Sequence, residues 1–435
     1  MLTRRGVLAT LAGGAVAGTV AGCRSEQVAH RGLAVTRPLD PGSWASVKAQ
    51  FALEPGVAHL AGFVFASHPA TVREAIERHR RGLDADAPGY LAANEEALDT
   101  AVAGAAAAYL RTQPDQIAFT DSTTMGLGLL FAGLRLGPGD EVLTTEHDFY
   151  ATHESLRLRQ ARDGTPVRRV RLYDAPETAD ADQIVQRLRA AVNPRTRVVA
   201  LTWVHSSSGV KLPIPVIAGM LAEVGQGRDA PVLLAVDGVH GFGVEATTPD
   251  ELGCDFFATG CHKWLFGPRG TGLLWGRATA WPQLTPVIPS FTAASIGAWQ
   301  EGSLPHGPAG PAATPGGYHS FEHRWALAEA FALHQTIGMD RIAQRTRTLA
   351  TALKDGLADL SGVTLRTPRS AELSAGIICC EVRGYRPREA VARLRAAGVS
   401  ASVTPYATSY LRFGPSILTD ESDVEVTIAA VRTLG

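Results

Sequence analysis

The chain has 435 residues, 41 basic and 42 acidic, with a formal net charge of −1; 45% of its side chains are hydrophobic and 19% are charged. That length predicts two or three domains with self-sufficient cores, and the composition excludes both a disordered chain and a multi-span membrane protein. The balanced charge leaves no electrostatic footprint for nucleic acid, five cysteines are too few for a disulfide scaffold, and only Lys48, Lys211, Lys263 and Lys354 are available for lysine chemistry.

In chain order, residues 1–23 read as an export signal. Arg4-Arg5 precedes a small, apolar, uncharged run from Val7 to Gly22, and the run closes as Val20-Ala21-Gly22-Cys23 before turning polar. The adjacent arginines match the twin-arginine type. The last four residues resemble the site at which bacterial lipoproteins are cleaved and lipidated, here on Cys23. The chain is therefore expected to be exported, periplasmic or at the cell surface, with the membrane reached only through a lipid on Cys23. A buried helix is disfavoured by Gly13, Gly14, Gly18 and Gly22, each costing about 0.5–1 kcal/mol relative to alanine. Residues 24–50, with Pro38, Pro41 and Gly42, read as a tether and lead-in.

Helical spacing follows at 70–81 and 95–110, then strands at 116–120, 141–145, 167–172, 197–204, 232–236, 255–258 and 272–276, with helices after residue 126 and at 182–192 and 215–224. Alternating strands and helices predict an α/β fold with a mostly parallel seven-stranded sheet covered on both faces. Residues 301–317 carry four prolines and five glycines and are expected to be a long loop without regular structure, of functional use. Helices at 323–337 and 340–360 come next. A smaller α+β unit then follows, with strands at 376–382 and 411–413 and helices at 388–397 and 421–434.

The segment Asp255-Phe-Phe-Ala-Thr-Gly-Cys-His262-Lys263-Trp-Leu-Phe-Gly-Pro-Arg269-Gly-Thr-Gly272 carries the strongest chemical signal. It places Lys263 at the carboxyl end of a strand, where open α/β sheets bind ligands. Partial burial among Phe256, Phe257, Trp264, Leu265 and Phe266 lowers an amine's pKa and frees it to form an imine with a carbonyl. A solvated surface lysine is the ordinary alternative, and the apolar setting argues against it. Asp237 ends the apolar run Leu233-Leu-Ala-Val, 26 residues before Lys263. A carboxylate there is costly to bury without a cation, and a pyridinium ring supplies one. A helix-capping or metal-binding aspartate is weaker, because no acidic neighbour lies close in sequence.

These two segments resemble the pyridoxal-phosphate enzymes of fold type I, aminotransferase class V, the family of cysteine desulfurases and isopenicillin N epimerase; the likeness runs from about residue 55 to the C-terminus. The resemblance implies a large cofactor-binding domain at 51–320, with the N-terminal segment packing on a small C-terminal domain at 321–435, and a homodimer with active sites at the subunit boundary. It implies pyridoxal 5'-phosphate on Lys263, which also moves the substrate's α-proton, Asp237 at the pyridinium and His240 at the ring's phenolate oxygen. It places Thr123 and Thr124 on the phosphate, where a helix start also suits an anion, with His262 helping. It places His147 on the cofactor ring, with Tyr150 the weaker candidate, and Arg412 on the substrate carboxylate, a role that suits the planar guanidinium fork. Ser320, after a histidine where the family often has glycine, stands where the family contacts the neighbouring subunit's phosphate. Ser206 or His205 takes the place of an asparagine usual beside the phenolate oxygen.

The chain departs from the desulfurases. Residues 398–409 contain no cysteine to attack a substrate sulfur, and Cys379-Cys380 sits in an apolar run that reads as buried core. Cys254, Cys261 and His262 have no zinc-ligand spacing, residues 267–272 are no dinucleotide fingerprint, and a G-x-S-x-G elbow is absent; no metal is expected. The expected activity is at the α-carbon of an amino acid, as an isopenicillin N epimerase-like enzyme or an aminotransferase. A C–S (β-)lyase is the alternative, and a non-catalytic exported binding protein of the same fold is the second alternative.

Overall fold

The computed structural model describes residues 38–304 and 307–434. The expected signal at 1–23, Cys23 and the start of the tether lie outside the described residues. The centre of the fold is a seven-stranded sheet in the order Ile117–Thr120, Gly272–Gly276, Phe256–Gly260, Leu233–Asp237, Thr196–Thr202, Glu141–Thr145, Val167–Val170. Gly272–Gly276 runs antiparallel to both neighbours and the other six strands are parallel. This is the mostly parallel sheet of the fold-type-I class that the alternating pattern predicts.

Sequence alternation explains why both faces are covered. Val198, Ala200, Leu233, Ala235, Phe256 and Ala258 point into one apolar cluster, while Val199, Leu201, Leu234, Val236 and Phe257 point into another. Strands with both side-chain sets buried read as continuous apolar runs, and all five residues of Leu233–Asp237 and of Phe256–Gly260 are buried. Parallel strands in register bring their carboxyl ends to one edge. Thr202 pairs with Asp237 and Asp237 with Ala258, so the turns after these strands open side by side.

A four-stranded antiparallel sheet, ordered Ser402–Val403, Leu411–Phe413, Ile378–Val382, Val363–Leu365, forms the smaller layer with the helices Met339–Ala358, Pro387–Ala396 and Glu421–Arg432. The N-terminal segment packs on this layer. Ala58–His59 pairs in parallel with Val399–Ser400, and Lys48 donates to Asp420 and Asp423, each at 2.6 Å.

Three local readings need correction. The loop expected at 301–317 contains a short helix, Ala309–Ala313, which Pro308 precedes and in whose first turn Pro311 lies, where proline's missing N–H costs nothing; residues 305–306 lie outside the described residues. The helix Ala293–Glu301 was not foreseen. Nor was Tyr150–Asp163, whose sequence is mostly polar and which buries only Ala151, Thr152, Leu156 and Arg159. It is fixed by tertiary contact: Arg159 donates to the carbonyls of Phe131 (2.6 Å) and Leu134 (2.8 Å), which close the preceding helix.

Candidate active site

The carboxyl edge of the large sheet meets the smaller layer at a cavity of about 180 Å³, lined by Thr202, Ser206, Asp237, His240 and Lys263 from the sheet side, Arg412 and Pro405 from the small layer, and Phe149. Five of the expected residues (Ser206, Asp237, His240, Lys263 and Arg412) therefore share one space.

Lys263 is placed by a tight turn. Gly267 N–H donates to the carbonyl of Cys261 and Phe266 N–H to that of Lys263. Phe266 adopts φ 57°, a left-handed conformation costly for a bulky residue. Its ring is buried against Phe51 at 5.2 Å, and that packing offsets the strain. Lys263 Nζ lies 3.4 Å from His240 Nε2. Burial pulls the amine below the ordinary lysine value, against the attraction of Asp237. The other three lysines are engaged elsewhere: Lys48 with Asp420 and Asp423, Lys211 with Glu245 at 3.2 Å, and Lys354 with Ser374 and two carbonyls.

Asp237 ends its strand 2% exposed. Its carboxylate accepts the Val239 N–H at 3.1 Å, and burial pushes its pKa up. The turn after it needs a glycine, since a Cβ on Gly238 would lie 1.8 Å from the Phe257 ring. Arg412 is 6% exposed. It donates through Nε to Ser402 Oγ (3.1 Å) and through Nη1 to the Ser206 carbonyl (3.2 Å), and its guanidinium lies 5.0 Å over the Phe63 ring. The remaining N–H groups of the fork suit a carboxylate. Ser206 Oγ shares a hydrogen bond with Tyr406 Oη at 2.8 Å.

The phosphate candidates lie beside this space. Thr123 opens the helix Thr123–Gly133, with Ser122 as its cap. Thr123 Oγ1 and the His262 ring both approach Gly260, within 3.1 and 3.2 Å of where its Cβ would stand, and Thr124 is exposed. His262 Nδ1 donates to the Thr271 carbonyl at 3.2 Å.

The expectation for the cofactor ring is not met in the cavity. His147 does not line it. Its ring stacks on Tyr173 at 3.8 Å, and its Nε2 accepts the Leu172 N–H at 3.1 Å. Phe149, two residues on, faces the cavity instead, and the weaker candidate Tyr150 is 67% exposed. His205 is fully buried with Nδ1 on Tyr173 Oη (2.8 Å), leaving Ser206 as the residue of that pair in the cavity. Ser320, expected at a neighbouring subunit's phosphate rather than in this cavity, is exposed at the start of the helix Phe321–Ile337.

The residues present fit pyridoxal phosphate. A buried carboxylate with one backbone donor suits a protonated ring nitrogen, an amine of lowered pKa suits an aldehyde, and a helix N-terminus with Thr123 and His262 suits a phosphate. The Thr202 hydroxyl, at the cavity wall, is buried without a partner among the described residues, as a wall that meets a polar ligand would be.

Comparison with known proteins agrees with this geometry. Isopenicillin N epimerase of Streptomyces clavuligerus is 28% identical over 348 residues, 77% of this chain and 83% of its own. A probable cysteine desulfurase of Mycolicibacterium paratuberculosis is 28% identical over 317 residues, 71% of this chain and 42% of its own. Among solved structures, a mutant of C-DES with glycine covalently linked to its PLP cofactor superposes with a TM-score of 0.80 at 22% identity, over 89% of this chain and 99% of that one. A cysteine desulfurase from Thermococcus onnurineus superposes with a TM-score of 0.76 at 18% identity, over 90% and 97%. The description "Aminotransferase class-V" matches residues 94–409, so the chain belongs to the aminotransferase class-V family of pyridoxal-phosphate-dependent enzymes.

Proposed function

We propose that the protein acts at the α-carbon of an amino-acid substrate, by epimerisation in the manner of isopenicillin N epimerase or by transamination. The observation that carries this reading is that Lys263, Asp237 and Arg412 line one cavity while the other three lysines are held in other contacts. Bound pyridoxal phosphate supplies an electron sink for the charge that develops at the α-carbon. Asp237 would hold the ring nitrogen and keep a proton there, His240 and Ser206 would hold the ring oxygen, and Phe149 would pack on the ring. Thr123, Thr124 and His262 would hold the phosphate. Arg412 orients the substrate through its carboxylate, and Lys263, with its lowered pKa, takes the α-proton as a free amine. The face on which that proton is returned, or the loss of a β-substituent, sets the product.

A C–S β-lyase is the second reading, since elimination uses the same lysine and needs no thiol. A persulfide-forming desulfurase is not supported: Cys254, Cys261, Cys379 and Cys380 are all buried, and burial pushes the Cys379 thiol up to about 12. The decisive experiment is a panel of amino acids assayed with the loaded enzyme in deuterated water. Deuterium at the α-carbon with racemisation supports epimerisation, a keto acid supports transamination, and pyruvate with a released thiol supports elimination. A chain that stays colourless with the cofactor and exchanges no α-proton is the non-catalytic binding protein instead.

Arg412→Lys tests the carboxylate site. A lysine keeps the charge and loses the two-pronged geometry, so KM is expected to rise about 10–100-fold with a smaller change in kcat. An unchanged KM removes Arg412 from the substrate site.

The N-terminal sequence supports export by a twin-arginine signal and lipidation at Cys23. Cys23→Ala is expected to move the protein from the membrane fraction to the soluble fraction, and a wild type that is already soluble contradicts the anchor. A homodimer is supported by the exposed Phe291, Trp299 and Tyr318, and in it Ser320 would face the partner's phosphate; a monomer by light scattering contradicts both.

A further inference from the structure

Four nitrogens of three side chains form a chain of contacts at the cavity wall. Trp264 Nε1 lies 3.2 Å from His240 Nδ1, and His240 Nε2 lies 3.4 Å from Lys263 Nζ. The direction of these contacts is set at one end, because an indole N–H can donate and has no lone pair to accept. His240 Nδ1 must therefore be the bare nitrogen. Burial, the largest cause, and the Arg412 charge disfavour the imidazolium, and with Nδ1 bare the ring's single proton resides on Nε2. That N–H then points at the Lys263 amine, which can receive it only through a lone pair; an ammonium there would set two donors face to face.

The indole is held in place. Trp264 is 2% exposed and stacks on Phe63 at 5.1 Å with a 17° interplanar angle, and Phe63 meets His240 edge-on at 6.0 Å. A Cβ on Gly376 would come within 2.5 Å of the far edge of the indole, so the backbone closes on it there. Rotation away from His240 has no room.

We propose that Trp264 is a positioning residue whose indole N–H fixes His240 in the Nε2–H tautomer, so that His240 always presents a hydrogen-bond donor to Lys263 and to the ring oxygen of the cofactor. This rests on the reading of Lys263 as the cofactor lysine, and deepens it. Asp237, the acidic group lining the same cavity, pulls Lys263 toward the charged form; the His240 donor acts against that pull and keeps the amine free to react.

The test is made on the cofactor-free full chain with ¹⁵N-labelled histidine, by long-range ¹H–¹⁵N correlation, using H240Q only to assign the His240 resonances. Nδ1 is expected to show as the unprotonated acceptor and Nε2 as protonated throughout the neutral range. Trp264→Phe keeps an aromatic ring against Phe63 and removes the N–H. It is expected to populate the other tautomer and to weaken pyridoxal phosphate binding by about two- to tenfold, the loss of one neutral hydrogen bond. A proton on Nδ1 in the wild type overturns the proposal, as does a Trp264→Phe spectrum identical to wild type. If that variant does not fold, the wild-type spectrum decides alone. A chain that binds no cofactor at all refutes the reading of Lys263 and leaves the tautomer measurement intact, so the two failures are distinct.

Discussion

Lys263→Ala is expected to remain colourless when mixed with pyridoxal phosphate, where the wild type gains the visible absorbance of a lysine-bound cofactor, and to lose about 10²–10⁴-fold in rate from the missing proton transfer alone. The loss is large because no other lysine can take over. Lys48 is held by two carboxylates, Lys211 by Glu245, and Lys354 by Ser374 and the carbonyls of Pro368 and Arg369. The fold is expected to survive. Burial disfavours the charged amine, so removing it relieves a desolvation cost, and the shortened side chain only enlarges a cavity wall. The cofactor-free variant should therefore melt within a few degrees of wild type. Visible absorbance retained by Lys263→Ala would show that the cofactor is held elsewhere, and the functional reading would fall with it.

Asp237 was legible because it closes an apolar strand, and Lys263 because it follows the carboxyl end of the neighbouring strand by three residues; parallel register then brings the two ends together. Arg412 was legible only through a family resemblance. Nothing in the spacing of residues 402 and 412 announces that Ser402 and the Ser206 carbonyl fix its guanidinium. His147 was misplaced for a reason that local sequence does not carry. Asp148 is buried and accepts from both hydroxyls of Thr144 and Thr145, from the Thr145 N–H, and from the Thr202 N–H across the sheet. That locks the turn after the strand Glu141–Thr145. His147 is directed onto Tyr173, and Phe149 is delivered to the cavity. A strand's period of two predicts directions within the strand, and it stops at the first residue of such a turn. The helix Tyr150–Asp163 escaped notice for a related reason: its hold on the protein runs largely through Arg159 to carbonyls some 25–28 residues away, which no apolar periodicity records. The Trp264–His240 contact was equally silent, because a buried tryptophan reads as core until its N–H has a partner.

Asp237→Asn is the sharper probe of the cofactor, because it is expected to act in opposite directions on the free and the loaded protein. The side chains are nearly isosteric, and the amide oxygen can still accept the Val239 N–H. Burial raises the Asp237 pKa in the folded chain, so folding favours the protonated acid. Its contribution to stability is whole below the ordinary carboxyl value of 3.8 and is lost as pH rises through the raised folded value. Without cofactor, Asp237→Asn should therefore gain on wild type between pH 4 and neutrality, by roughly 1–3 kcal/mol in denaturant titrations. With pyridoxal phosphate bound, the order should reverse. The carboxylate then has the ring-nitrogen proton to face, the wild type gains the larger ligand-linked stabilisation, and the variant loses about 10²–10³-fold in rate for want of a charge at that nitrogen. A variant that is less stable than wild type at neutral pH without cofactor, or equally active with it, would separate Asp237 from the cofactor ring.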